Sequence, residues 1–335
     1  MENKMKAIVF EKYGPPEVLQ LKEIDKPTPK DKELLIKVYA TAVNFGDIYT
    51  RDFRKITARK SLMPSVLWFF SKMMLGFRKP KIKILGSEFA GEIESVGKDV
   101  KLFKKGDQVF GYLGMSMGTN AEYLCMPEKG TVAIKPTNMT HEEAATVSGN
   151  SMTALNILGK VNIQSGQKVL INGASGGIGS IALQLAKNSG AEVTGVCGTP
   201  RLEYIKALGA DKVIDYTKED FTENGETYDL IFDVLGKSSF SRCKKSLNKN
   251  GIYLLANFKL PQLLQNLRTS IIGRKKVKCV LNITENIGVI KELIEAGKII
   301  TVIDKRFPLE QAADAHSYIE KGLKKGSVVL TIDHN

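Results

Sequence analysis

Histidine and cysteine are scarce in this chain: three of one and four of the other among 335 residues. Cys125, Cys197, Cys243 and Cys279 lie far apart with no CxxC pair. That argues against a structural zinc site and a disulfide framework, and suits a reducing cytoplasm. Long apolar runs are missing too. The best of them, Leu62 to Phe70, is broken by Pro64 and is about half of the roughly 20 residues a membrane helix needs. The amino terminus, MENKMKAIVF, has no sustained apolar stretch of the kind a secretory signal carries. Acid is the scarcer charge, with 36 Asp+Glu against 49 Lys+Arg and a net charge of +13. Such a field attracts anions: phosphate cofactors, nucleic acid or an acidic membrane surface. The basic residues come in short groups such as Phe77–Lys83 and Arg274–Lys276, as on a solvated face. No aromatic-interleaved RNA motif accompanies them, so nucleic acid is not an expected partner. With 43% hydrophobic and 25% charged residues the composition is that of a globular protein, long enough for two domains.

The texture of the chain changes near Thr140. Before it, short segments rich in β-branched and aromatic residues (Met5–Phe10, Glu33–Tyr39, Val109–Tyr112) are punctuated by Pro15, Pro16, Pro27 and Pro29, as in a β-rich unit. After it, the spacing predicts a helix over His141–Leu158, then strand Lys168–Asn172 and helix Ile178–Asn188. The alternation continues with strand Glu192–Val196, helix Pro200–Leu208 and strands Lys212–Asp215 and Asp229–Asp233. Helix Ser238–Ser246 and strand Gly251–Ala256 follow. This order implies right-handed βαβ units and a doubly wound parallel sheet, an α/β fold. The tail carries helices Asn286–Ala296 and Leu309–Lys321 and a strand Ser327–Ile332, and is expected to return to the first unit.

Between Val169 and Gly179 a strand, a glycine turn and a helix start follow in the order that binds a dinucleotide. Gly176 lets the backbone approach a pyrophosphate, and the amides at the helix start, from Ser175, Gly176, Gly177 and Ile178, hold its charge. Gly179 lets the helix pack close to the strand, and Ala174 replaces the first glycine of the GxGxxG pattern. An NAD site usually places an acid at the end of the second strand. Here that strand ends Cys197-Gly198-Thr199-Pro200-Arg201, with no acid. Arg201 is near enough to meet a 2′-phosphate, and Tyr216 at the end of the next strand can add a hydroxyl. NADPH is the expected cofactor; the competing reading has Arg201 as a helix charge pointing at solvent.

Six stretches occur in one order: Met5–Ala7, Asn44–Arg51 (NFGDIYTR), Gly86–Gly91 (GSEFAG), Gly106–Val109 (GDQV), Gly173–Gly179 and Leu208–Asp211 (LGAD). Together they resemble the medium-chain dehydrogenase/reductase superfamily, specifically its zinc-free quinone oxidoreductase branch (zeta-crystallin-like). The resemblance implies a GroES-like β-rich substrate domain and a Rossmann domain, with boundaries at 1–126, 127–282 and a returning segment 283–335. It also implies a homodimer. Where zinc alcohol dehydrogenases carry their three catalytic ligands, this chain has Asn44, Ser87 and Gly149. Tetrahedral zinc needs at least three protein ligands, so no metal is expected.

Without a Lewis acid to stabilise an alkoxide, a conjugated acceptor is the easier substrate, because its charge spreads into an enolate or hydroquinone anion. The expected chemistry is hydride transfer to a quinone or to an α,β-unsaturated carbonyl. By resemblance, Asn44 sits by the nicotinamide ribose, Asp47 orients the pocket, and Tyr49 is a candidate donor to the substrate oxygen, or else an aromatic wall residue. Thr153 matches a position facing the nicotinamide. Val234 and Asn257 follow later strands, at the carboxyl ends where doubly wound sheets bind ligands. Lys325 is expected to reach cofactor phosphate from the tail. Two other functions compete: an NADPH-binding sensor or nucleic-acid-associated protein with little turnover, and an alcohol dehydrogenase-type carbonyl/alcohol oxidoreductase. The chain departs from the pattern at Phe53–Lys83, where the family often has a short loop. Packing, a mobile lid and a peripheral membrane contact are the three readings of that insertion.

Overall fold

The computed structural model describes residues 4–55, 57, 65–280 and 286–334. The first unit is built on strands β1 (Lys4–Val9), β2 (Gln20–Asp25), β3 (Glu33–Ala42), β4 (Glu88–Val96), β5 (Gln108–Tyr112), β6 (Tyr123–Pro127) and β7 (Thr131–Ile134). Helix α1 (Phe45–Arg51) leaves the end of β3, and α2 (Ser65–Leu75) lies within the insertion, of which residues 56 and 58–64 fall outside the described residues. Two tail strands, β14 (Ile303–Pro308) and β15 (Ser327–Thr331), complete the main sheet of this unit, whose order is β14-β15-β3-β4-β5-β7, with β6 also pairing β3. Alternation along β3 sends Leu34, Ile36 and Val38 into one core with Phe89, Val109, Val328 and Leu330. Because β5 finds its second partner in β7, this sheet runs past the boundary expected at 126.

The second unit is a six-stranded parallel sheet of order β10-β9-β8-β11-β12-β13. Its strands are β8 (Lys168–Asn172), β9 (Glu192–Cys197), β10 (Lys212–Asp215), β11 (Tyr228–Asp233), β12 (Leu247–Leu255) and β13 (Lys276–Cys279). Its apolar strands are buried on both faces, as helices on either side require. Val169, Ile171, Leu230 and Phe232 pack one way. Leu170, Ile231, Tyr253 and Leu255 pack the other. The helices are α3 (His141–Ala144), α4 (Ser148–Leu158), α5 (Gly177–Asn188), α6 (Leu202–Ala207), α7 (Phe240–Cys243), α8 (Leu260–Ile271) and α9 (Ile287–Glu295), with α10 (Ala312–Glu320) in the tail.

Three elements differ from expectation. The helix expected over His141–Leu158 is two helices, separated at Ala145–Val147. The helix expected over Ser238–Ser246 is a single turn, because β12 already begins at Leu247. Helix α9 joins the core of the second unit through Ile287, Ile290 and Ile294, so the return to the first sheet begins at β14. The expected boundary at 282/283 lies outside the described residues. Among those residues, no helix is long and apolar enough to cross a membrane.

Arg51, buried with His316, fastens the tail to α1. The Arg51 guanidinium donates to the Gly14 carbonyl at 3.1 Å and to Glu320 at 2.5 Å, and lies 3.0 Å from His316 Nδ1. Burial and the adjacent guanidinium push His316 down to about 3, so it is neutral at pH 7.

The glycine turn separates two roles. A Cβ at Gly179 would stand 2.2 Å from the Gly173 carbonyl oxygen, whereas one at Gly176 would meet only that oxygen, at 3.5 Å. Gly179→Ala should therefore cost about 2–3 kcal/mol in urea unfolding, because helix α5 must move off the sheet. Gly176→Ala should stay within about 1 kcal/mol of wild type; equal losses would contradict the assignment.

Candidate functional site

The chain leaves β3 into α1 through a reciprocal cap. The Asn44 amide donates to Asp47 Oδ2 at 2.7 Å, an N-cap and N3 pair of the kind the Asn44-x-x-Asp47 spacing encodes. The other Asp47 oxygen accepts from the Gly86 amide at 2.9 Å. Gly86 holds φ +89, and a Cβ there would meet the Thr119 hydroxyl at 2.2 Å, so glycine is required for that amide to point at Asp47.

Glu88 sits beside this cap, buried, on β4. Its carboxylate accepts from Asn44 Nδ2, from the Gly149 amide and, at 3.1 Å, from the Ser148 hydroxyl. The break between α3 and α4 puts Ser148 and Gly149 at a helix start, where their donors are free to face Glu88. Burial raises the pKa of Glu88, and these donors work against that rise. Burial likewise pushes Asp47 up to about 6, although two amides and Lys324 oppose it.

Two of the three positions that match zinc ligands by resemblance, Asn44 and Gly149, therefore present N–H donors to a carboxylate. A metal needs lone pairs there, and Ser87 offers only a hydroxyl. Among the described residues, no group of three or more His, Cys, Asp or Glu is placed to hold a metal ion. These residues do not fit zinc.

The glycine turn opens onto a cleft lined by Asn150, Ser175, Gly177, Tyr204, Lys324 and Ser327, among others. The N-cap residue of α5 is Gly176, which brings no side chain of its own to cap the helix. The room in front of Gly176 and the amides of this helix start fit the pyrophosphate of a dinucleotide. Lys324, half-buried in the tail, is the lysine that faces the cleft. Lys325 is exposed, and its amide donates to Asp304 at 2.8 Å. Burial lowers the Lys324 pKa, against the pull of Glu88, Asp304 and Asp47. The sequence points to Lys325, whereas the turn before β15 places Lys324 against the cleft and leaves Lys325 exposed.

At the far end of β9, Gly198 leaves room for the Tyr216 ring, whose hydroxyl would lie 3.3 Å from a Cβ there. Arg201 does not point at solvent. It donates to the carbonyls of Lys324 at 2.7 Å and Gly322 at 2.6 Å, holding the tail turn against this end of the sheet. Asp215, which the sequence reading passed over, accepts from Thr199 and Thr217 nearby, and those bonds hold its pKa down.

Val234 and Asn257 are joined by a bond from Asn257 Nδ2 to the Val234 carbonyl at 2.8 Å. Behind them Asp233, buried, accepts from Asn172, Gly236, Ser238 and the Tyr253 hydroxyl, and so fixes the loop after β11. Only its place at a strand end marks it in the sequence. Thr153 lies one turn beyond Gly149, its hydroxyl donating to the Gly149 carbonyl at 2.8 Å. Tyr49 is half-buried on α1 between the rings of Phe45 and Phe53, at 6.1 and 5.4 Å.

The raised pKa of Asp47 has a measurable sign. Between the unfolded value near 4 and the folded value, the folded protein holds the extra proton, so stability falls as pH rises through that window. Relative to Asp47→Asn, wild type should lose about 2–3 kcal/mol of unfolding free energy between roughly pH 4 and pH 7. A pH-independent difference would contradict this placement.

Comparison with known proteins gives one consistent picture. An alcohol dehydrogenase GroES-like domain family matches residues 30–137, and a zinc-binding dehydrogenase family matches residues 208–330. A 2-methylene-furan-3-one reductase from Solanum lycopersicum is 32% identical over 343 residues, spanning 98% of this chain and 79% of its own. The chloroplastic NADPH-dependent alkenal/one oxidoreductase of Arabidopsis thaliana is 32% identical, over 97% of this chain and 79% of its own. The solved quinone oxidoreductase of Coxiella burnetii superposes with a TM-score of 0.79 at 28% identity, over 98% of this chain and all of that one.

Proposed function

Because the chain belongs to the medium-chain dehydrogenase/reductase superfamily, in its quinone oxidoreductase branch, we propose that it is a zinc-independent, NADPH-dependent reductase of conjugated carbonyls or quinones. The observation that carries the metal-free reading is Glu88, whose carboxylate draws N–H donors from the positions where zinc ligands would stand. An alcohol dehydrogenase mechanism asks those positions for thiolate or imidazole ligands, which an amide held by Glu88, a hydroxyl and a glycine do not supply.

NADPH lies along the cleft in this reading. Ser175, Gly176, Gly177 and Ile178 take the pyrophosphate, Lys324 adds positive charge, and Gly198, Tyr216 and Arg201 form the adenosine end. Asn44, Thr153, Val234 and Asn257 frame the nicotinamide end. When bound, the cofactor supplies the hydride. The chain's own work is to orient the acceptor and meet the charge left on its oxygen. Asn44 is held in place by Glu88 and Asp47, and the Tyr49 hydroxyl donates to that oxygen or relays the proton that completes reduction. The four free cysteines suit a reducing, cytoplasmic setting.

The test is NADPH oxidation, followed at 340 nm, against quinones, enones and simple aldehydes. Quinones or enones should turn over and aldehydes should not. Arg201→Ala should narrow the kcat/KM preference for NADPH over NADH, directly or by releasing the tail turn. NADPH binding with silence across the panel would favour the sensor reading instead.

A homodimer is part of the proposal. Strand β13 is a sheet edge, and beside it α8 exposes Leu260, Leu264, Leu267 and Ile271, between 57% and 83% open. Leu264→Glu with Leu267→Glu should convert a dimer to a monomer in sedimentation. An unchanged mass would place the interface elsewhere.

A further inference from the structure

Helix α2 turns two faces to two surroundings. Trp68 and Leu75, seven residues apart, face the protein: the Trp68 ring lies 6.4 Å from that of Phe53, and Leu75 is buried. The Tyr13 hydroxyl reaches the carbonyls of Leu75 and Gly76 at 2.8 and 2.9 Å, fixing the end of the helix. Val66, Leu67, Phe69, Phe70, Met73 and Met74 occupy the opposite face, an arc of about 160° at 3.6 residues per turn. With Phe77 just beyond, their exposures run from 48% to 66%. A protein in water does not ordinarily leave so continuous an apolar face uncovered.

The charge around this face has one sign. Residues 53–83 contain nine Lys or Arg and no Asp or Glu, so under a tenth of the chain supplies nine of the thirteen net positive charges. Arg78, Lys79, Lys81 and Lys83 are exposed at its edge, and Lys72 lies 4.8 Å above the Trp68 ring. A second copy of the chain would bring two such segments together, and like charge opposes that. An anionic bilayer offers both an apolar depth and the opposite charge.

We infer that α2 and the turn 76–83 dock on an anionic lipid surface. The aromatic and methionine face enters the acyl boundary, and the basic side chains sit among the headgroups. The acceptor can then arrive from the lipid. A line of rings, Phe45, Tyr49, Phe53 and Trp68, spaced 6.1, 5.4 and 6.4 Å, joins the inward side of α2 to helix α1, which Asn44 caps and which carries Asp47. That route rests on the reductase reading; the docking does not.

The test uses the full chain and vesicle flotation, without turnover. Protein should float with phosphatidylcholine vesicles containing about 30% phosphatidylglycerol, not with phosphatidylcholine alone, and salt should release it. Phe69→Ser with Phe70→Ser, and separately Arg78→Glu with Lys79→Glu, should each reduce partitioning roughly tenfold or more. Both should still reduce a water-soluble enone at the wild-type rate, so that failed docking is distinguishable from a failed reductase reading. Absence of wild-type flotation on anionic vesicles, or flotation equal in wild type and both variants, overturns the inference. So does a Phe69/Phe70 variant that changes only the oligomeric mass, which would assign the face to a second copy.

Discussion

One buried carboxylate holds the site together. Glu88 projects from the sheet of the first unit and is met by donors from α1 and from the start of α4, in the second. A charge taken out of water this far is tolerated only when donors satisfy it. Here the satisfaction comes from two other segments, so their relative placement is set by the need to keep Glu88 paired. Asp47 repeats the arrangement one step away, accepting from the Asn44 and Gly86 amides. The two acids make Asn44 a rigid member of the site, its backbone tied to one and its side chain to the other.

The tail serves the same end from the other side. Its strands finish the first sheet, Arg51 ties α10 to α1, and Arg201 ties the turn before β15 to the end of β9. The consequence is that Lys324 lies both in the cleft of the glycine turn and within electrostatic reach of Asp47 and Glu88. Its side chain is the group shared by that cleft and the buried acids.

The fold was legible in the sequence where local pattern and tertiary need agree. Strand, glycine turn and helix follow each other between Lys168 and Asn188 as the spacing implies, and the return of the tail to the first sheet is there in the final strand. Legibility fails where a long-range partner decides. The interruption between α3 and α4 is invisible in an apolar periodicity, yet it releases the donors that face Glu88. Glu88 itself stood inside a motif quoted for resemblance and carried no role, because its partners are 44, 60 and 61 positions away. Lys324 and Lys325 are indistinguishable as letters. Helix α8 has apolar residues at helical spacing, but the stripe faces outward, which a core-seeking reading passes over.

The central claim is that Glu88 and its donors take the place of a metal centre, and metal content measured beside turnover tests it most directly. Chelator-treated protein should contain far less than one zinc per chain and reduce a conjugated acceptor at the untreated rate. One tightly held zinc per chain, with turnover lost on its removal and regained on its return, would contradict the account.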